Sequence, residues 1–178
     1  MLGILMAGGR SLRLGYDKLV AELIGVPLIM YTYKSLRHSK AQPVYAAVSK
    51  NSPAANDLLE SIGASTIATP GKSYVDDVTF LSKMLSRPFL TLAADSIFLK
   101  PYHINNIIDA FRGKSIAAAV KINESIAYIG LNIVVPGDLE DQVHYFKDIE
   151  LGISVNTTSD IDKIRRIIWN GGYTLLLQ

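Results

Sequence analysis

Leu2-Gly-Ile-Leu-Met-Ala-Gly-Gly-Arg-Ser-Leu-Arg-Leu-Gly-Tyr-Asp-Lys18 decides how this chain folds and where its site lies. The apolar run Leu2 to Met6 reads as a buried strand. It empties into a loop carrying Gly8, Gly9, Arg10, Ser11, Arg13, Gly15 and Lys18. Glycines let a backbone turn its N–H groups toward an anion without Cβ interference. The basic side chains supply full charges that peptide dipoles lack, a combination suited to a triphosphate.

Competing phosphate loops fit less well. No Gly-x-Gly-x-x-Gly occurs, so the dinucleotide fingerprint is missing. Gly71-Lys72-Ser73 resembles the end of a Walker loop, but Thr66 stands where its opening glycine belongs.

Working outward, strand-like and helix-like segments alternate. Pro27 can open a helix bearing Leu28, Tyr31 and Leu36. A strand over Val44 to Val48 precedes a helix from Ala54 to Ile62, ended by Gly63. Ser65 to Ala68 is a weaker strand, and Val78, Leu81 and Leu85 line the next helix. Phe89 to Ala93 is the clearest central strand. Ile104, Ile107, Ile108 and Phe111 mark a helix closed by Gly113. Strands are expected over Ser115 to Ile122 and Tyr128 to Val135; residues 138–147 favour no element. A last strand over Ile149 to Val155 would precede a helix with Ile161, Ile164 and Ile168. This alternation predicts an α/β fold, a Rossmann-like three-layer domain over residues 1–178 with a mostly parallel sheet and helices on both faces. In such sheets ligands bind beyond the carboxyl ends of the strands.

Composition narrows the function class. The 178 residues are 49% apolar and 19% charged, which suits a packed globule. A net charge of +2 argues against a nucleic-acid partner. No apolar run is long enough for stable membrane insertion, and Met1 leads straight into the strand, leaving no room for a signal peptide. Zero cysteines exclude thiolate sites and fit the cytoplasm. His38, His103 and His144 lack paired spacing and read as surface or helix-end residues.

Two further loops converge on the first. Asp95 directly follows the central strand, and a carboxylate there needs a cation or several donors. Mg²⁺ bridging protein and phosphate oxygens would satisfy it; the alternative is capping of the helix near Pro101. Asn156 follows the last expected strand and could be a second, neutral ligand. Thr158 or Ser159 would cap the final helix.

The pattern Leu5-x-Ala7-Gly8-Gly9-x-Ser11-x-Arg13-x-Gly15-x-x-Lys18 resembles the signature loop of the small nucleotidyltransferases, the molybdenum-cofactor guanylyltransferases among them. Pro70 to Asp77, Ile129 to Pro136 and Val155 to Ile161 look most like the archaeal adenosylcobinamide-phosphate guanylyltransferases. Arg10 stands where that family commonly has lysine, and Leu19 where it usually has proline. The resemblance implies GTP as donor and a phosphorylated small-molecule acceptor, adenosylcobinamide phosphate foremost. It implies nucleotide contacts at Ala7, Gly8, Gly9, Arg10, Ser11, Ser49, Gly71, Lys72 and Asn132, and catalytic roles for Arg13, Lys18 and Asp95. Asp95 and Asn156 would hold Mg²⁺, with Asp95 as a direct substrate contact the alternative. A molybdopterin, sugar phosphate or phospholactate acceptor stays open, as does a homodimer. So does a regulatory protein that binds nucleotide without turnover. Arg13 and Lys18 are expected to face solvent when no ligand is bound.

Overall fold

The computed structural model describes residues 1–9, 17–155 and 158–169. Arg10, Ser11, Arg13 and Asn156 lie outside the described residues. The strands are β1 (Leu2–Met6), β2 (Glu22–Leu23), β3 (Val26–Pro27), β4 (Val44–Val48), β5 (Thr66–Ala68), β6 (Phe89–Ala93), β7 (Ile116–Ile122), β8 (Ser125–Val134) and β9 (Gln142–Phe146). The helices are α1 (Leu28–Arg37), α2 (Pro53–Ser61), α3 (Tyr74–Met84), α4 (Pro101–Ala110) and α5 (Thr158–Trp169).

Among the described residues, seven strands form one sheet in the order β5-β4-β1-β6-β8-β7-β9. β5, β4, β1 and β6 are mutually parallel, β8 runs antiparallel to β6 and β7, and β9 is parallel to β7. The sheet is thus mostly parallel, with β8 reversed by a tight hairpin. Ile122 pairs with Ser125 across Asn123 and Glu124, and Asn123 takes a positive φ of 54°. Asparagine tolerates that conformation better than most residues, so the turn needs no glycine.

Alternation along each strand sends side chains to opposite faces. Ile4, Met6, Phe89 and Ala47 pack with Leu81 of α3 on one face. Leu5, Leu90, Leu92, Leu131 and Ile133 pack with α1, α2, α4 and α5 on the other, around Leu28, Leu59, Ile104 and Ile164. Helices cover both faces, but unequally. Strands that are apolar almost without a break, such as Phe89–Ala93 with its one buried Thr91, follow from burial on both sides.

Several expectations are corrected. Ile149 to Val155 is no strand: Ile149–Gly152 is a 3₁₀ turn that seats Leu151 in the core. A Cβ on Gly152 would stand 2.9 Å from Val120 Cγ2, so the segment plugs the end of the core instead of extending the sheet. β9 arises where no element was favoured. Its Gln-Val-His-Tyr-Phe alternation is half polar because the strand is an edge, paired with β7 alone. β8 begins three residues earlier than expected. Thr158 and Ser159 lie within α5, so neither is its N-cap. Sequence reading also missed the β2–β3 hairpin, whose turn residues Ile24 and Gly25 both have positive φ.

Candidate active site

Four loops leave the carboxyl ends of β1, β4, β5 and β6 along one edge, where ligands were expected. The first is locked down at its start. Ala7 N–H donates to Ala47 O (2.8 Å), Ser49 Oγ donates to Gly8 O (2.7 Å), and Ser52 Oγ to Gly9 O (3.1 Å). With both glycine carbonyls tied to the loop after β4, no acceptor among the described residues takes the Gly8 or Gly9 N–H. Two amides left this way form a concavity suited to an anion.

The loop after β5 closes over this one. Asn51 Nδ2 donates to Gly71 O (2.6 Å) and, at 3.4 Å, toward Gly8 O. Gly71 has φ +66°, and a Cβ there would stand 2.6 Å from Asn51 Nδ2 and from Ser49 Cβ. Only glycine meets both constraints. Gly71→Ala is expected to cost about 3 kcal/mol through backbone strain and displacement of Ser49 and Asn51. That would lower the melting temperature by roughly 6–12 °C in calorimetry. An unchanged melting temperature would show that the three loops are not locked together. Lys72, next to it, is exposed on the surface.

The expected solvent-facing position of Lys18 is overturned. Its side chain is only 19% exposed, and Nζ bonds Asp95 Oδ2 at 2.6 Å and Val155 O at 3.0 Å. The residue beside it explains the placement. Asp17 caps the short 3₁₀ turn Lys18–Val20 by accepting the Leu19 N–H (3.2 Å). Its other oxygen accepts the Ala55 N–H (3.0 Å) in the first turn of α2. Ser52, the formal N-cap of α2, makes no capping bond, so Asp17 does this from a distant loop. Sequence reading passed over Asp17, although an acidic residue just before Lys18 was the available signal.

Asp95 is held just as firmly. The Ala94 N–H donates to Met6 O (3.2 Å), so the loop after β6 lies against the start of the glycine loop. Buried Thr32 donates to Ala94 O (2.9 Å), and Ser96 Oγ donates to Ile129 O (2.9 Å). Gly130 (φ +71°) lets β8 approach, since a Cβ there would lie 2.6 Å from Ala93 Cβ. Asp95 does not cap α4, whose N-cap is Lys100. The cation that the strand-end carboxylate requires is supplied by Lys18.

Asn132 lies in β8, beside the start of α3. It pairs with Thr91 within the sheet, and its Nδ2 donates to the Tyr74 hydroxyl (2.6 Å), which also bonds Thr91 Oγ1 (2.8 Å). Burial of that hydroxyl pushes the phenol pKa up from 10.0, so Tyr74 stays a neutral hydrogen-bonding group. Asn132 thus anchors the start of α3 and is not part of the Lys18–Asp95 pair. Of the histidines, His103 is buried, contrary to the surface reading. It remains a helix-end residue, accepting the Lys100 N–H at Nδ1 (3.0 Å) and bonding Asp148 through Nε2 (3.0 Å). Burial chiefly pushes its pKa down.

No group of three or more His, Asp or Glu residues able to hold a metal occurs among the described residues. Asp95 nevertheless suits Mg²⁺, which uses one or two carboxylates and takes its remaining ligands from phosphates and water. Asp95 Oδ1 faces no donor among the described residues, while Oδ2 is held by Lys18.

The chain as a whole matches known proteins. The model of the MobA-like NTP transferase domain matches residues 3–146. The chain belongs to the MobA-like NTP transferase family. It is a nucleotidyltransferase, acting on a nucleoside triphosphate. It is 30% identical over 195 residues to the adenosylcobinamide-phosphate guanylyltransferase of Methanocaldococcus jannaschii, covering 97% of this chain and 100% of that protein. A protein of Thermococcus gammatolerans named "probable molybdenum cofactor guanylyltransferase" is 29% identical over 120 residues, covering 67% of this chain and 61% of its own length. In fold, this MobA-like transferase is similar to the CMP:2-keto-3-deoxy-manno-octonic acid synthetase, with a TM-score of 0.74 at 12% identity over 95% of this chain and 98% of that one. No helix among the described residues is long and apolar enough to cross a membrane.

Proposed function

We propose that this chain transfers GMP from GTP to adenosylcobinamide phosphate and releases pyrophosphate. The reading rests on the full-length likeness to the Methanocaldococcus jannaschii enzyme. An oxygen of the acceptor phosphate attacks the α-phosphorus. As that P–O bond forms, the bond from the α-phosphorus to the bridging oxygen breaks, and the bridging oxygen leaves with its electron pair on pyrophosphate. The attacking oxygen is already anionic at neutral pH, so no strong general base is required.

The protein must align two anions and stabilise charge on the leaving group. A backbone dipole contributes about 0.3–1 kcal/mol to anion binding, whereas catalysis lowers barriers by at least ~8 kcal/mol. The Gly8 and Gly9 amides therefore orient the triphosphate, and the charges of Lys18 and Arg13 carry more of the stabilisation. Asp95, with Asn156 two residues ahead of α5 in the sequence, would hold Mg²⁺, which would supply further neutralisation of the phosphates. The nucleotide contacts assigned to Ala7, Gly8, Gly9, Arg10, Ser11, Ser49, Gly71, Lys72 and Asn132 belong to the same proposal.

The test is pyrophosphate release with each of the four common NTPs against adenosylcobinamide phosphate, a molybdopterin and a sugar 1-phosphate. Turnover is expected with GTP and adenosylcobinamide phosphate. Equal use of all four NTPs would sink the GTP assignment. Turnover with another acceptor alone would transfer the activity to that acceptor. GTP binding without pyrophosphate release for any acceptor would leave a nucleotide-binding protein in place of this enzyme.

A further inference from the structure

We infer that His103 is a positioning residue for nucleotidyl transfer: its imidazole fastens the loop after β6 to the segment between β9 and α5, and so sets where Lys18 points. The inference rests on the catalytic role proposed for Lys18 and deepens it.

Lys18 Nζ is held by acceptors from two separate loops. Asp95 Oδ2 (2.6 Å) comes from the loop after β6, and Val155 O (3.0 Å) from the segment after β9. The direction of the ammonium therefore depends on how these two loops stand relative to each other. His103, in the first turn of α4, joins them. On one side its Nδ1 accepts the Lys100 N–H (3.0 Å), and Ser96 O accepts the Leu99 N–H (3.2 Å), so residues 95–100 are braced against the helix. A neutral imidazole has one accepting and one donating nitrogen. With Nδ1 accepting, the proton sits on Nε2, which donates to Asp148 Oδ2 (3.0 Å) across 45 residues of chain.

Asp148 passes this restraint on. It precedes the 3₁₀ turn Ile149–Gly152 but makes no side-chain capping bond there, its carboxylate being turned to His103 instead. Its carbonyl accepts the Leu151 N–H (3.1 Å), Glu150 O accepts the Ile153 N–H (3.0 Å), and Leu151 and Val155 are buried. A segment bonded and seated in this way shifts as a unit, so a displacement at Asp148 reaches Val155 O. The imidazole is 1% exposed, with the Tyr102 ring centroid 3.9 Å away and Phe146 edge-on at 5.4 Å. Those contacts fix the ring plane, and both nitrogens keep their aim. Capping α4 uses Nδ1 alone; the Nε2 bond to a distant loop serves no end of that helix. Moving a reacting-site charge by about 1 Å can slow a reaction roughly 10²-fold, so the restraint has kinetic weight.

The test uses the full-length chain and two readouts. The first is pyrophosphate release with GTP and adenosylcobinamide phosphate. Asp148→Ala should lower kcat roughly 10- to 10²-fold, with KM for GTP changed less than about threefold. Asp148→Asn keeps an acceptor for Nε2–H and should restore most of the rate. His103→Asn keeps an oxygen for the Lys100 N–H but loses the Asp148 bond, so it should resemble Asp148→Ala. In a Lys18→Ala background, Asp148→Ala should cause no further loss, because its effect runs through Lys18. The second readout needs no turnover: acetylation of Lys18 by acetic anhydride without nucleotide, followed by mass spectrometry. Asp148→Ala should speed it roughly tenfold, as expected when a held group loses about one hydrogen bond. Additive losses with Lys18→Ala, or an Asp148→Ala protein with unchanged Lys18 acetylation, overturn the inference. So does an Asp148→Asn protein as slow as Asp148→Ala. A wild type that releases no pyrophosphate removes the proposed function, and the acetylation rates then decide the positioning role by themselves. Asp148 is half-exposed, so its variants test the link even if His103→Asn fails to fold.

Discussion

Lys18→Ala should slow nucleotidyl transfer roughly 10²–10³-fold, the range for losing one preorganised charge that stabilises the reacting phosphates. The same substitution should also lower the melting temperature, and the structure supplies the reason. Lys18 Nζ sits 2.6 Å from Asp95 Oδ2, with both side chains about one-fifth exposed. Its removal leaves a half-buried carboxylate without its cation, at about 1–2 kcal/mol. For a chain of this length that is roughly 2–8 °C. Activity must therefore be measured well below the new transition, on folded protein. A variant with full activity and a lowered melting temperature would make Lys18 a structural partner of Asp95 only.

Asp95→Asn should separate metal-dependent turnover from nucleotide binding. Asparagine retains one carbonyl oxygen, so Lys18 keeps an acceptor there and a second one in Val155 O at 3.0 Å. The fold should tolerate the change, with a melting temperature near that of the wild type. The charge that would hold a hard dication is gone, so turnover across a Mg²⁺ titration should fall roughly 10²-fold or more. In EDTA the opposite is expected for GTP: affinity is kept or improves, because Lys18 is released from a full charge and the triphosphate meets less repulsion. An unchanged Mg²⁺ requirement would remove Asp95 from metal binding. Loss of melting temperature with normal turnover per folded molecule would mark it as a structural residue.

The two variants probe one ion pair from opposite sides. In the structure Lys18 and Asp95 neutralise each other. Binding of the proposed nucleotide and metal would exchange that contact for two others, lysine to phosphate and carboxylate to cation. Double-variant analysis would then show coupling, since residues in direct contact do not act additively.

Much of this molecule was determined by sequence alone. The strands Leu2–Met6, Val44–Val48 and Phe89–Ala93 are apolar but for the buried Thr91, because burial on both faces leaves few polar positions to confuse the pattern. Pro27, Gly63 and Gly113 punctuate helices by local backbone preference, which needs no distant partner. The glycine loop and Asp95 were legible because chemistry-bearing residues directly followed such strands. Tertiary structure decided the rest, wherever an element or a side chain depended on something far along the chain. β9 exists only because β7 offers it a free edge, and the apolar run at Ile149 became a core plug because Val120 packs against Gly152. Asp17 caps α2 across 38 residues, and Lys18 meets Asp95 across 77. A carboxylate's partner is chosen by proximity in space, and sequence periodicity carries no record of that distance.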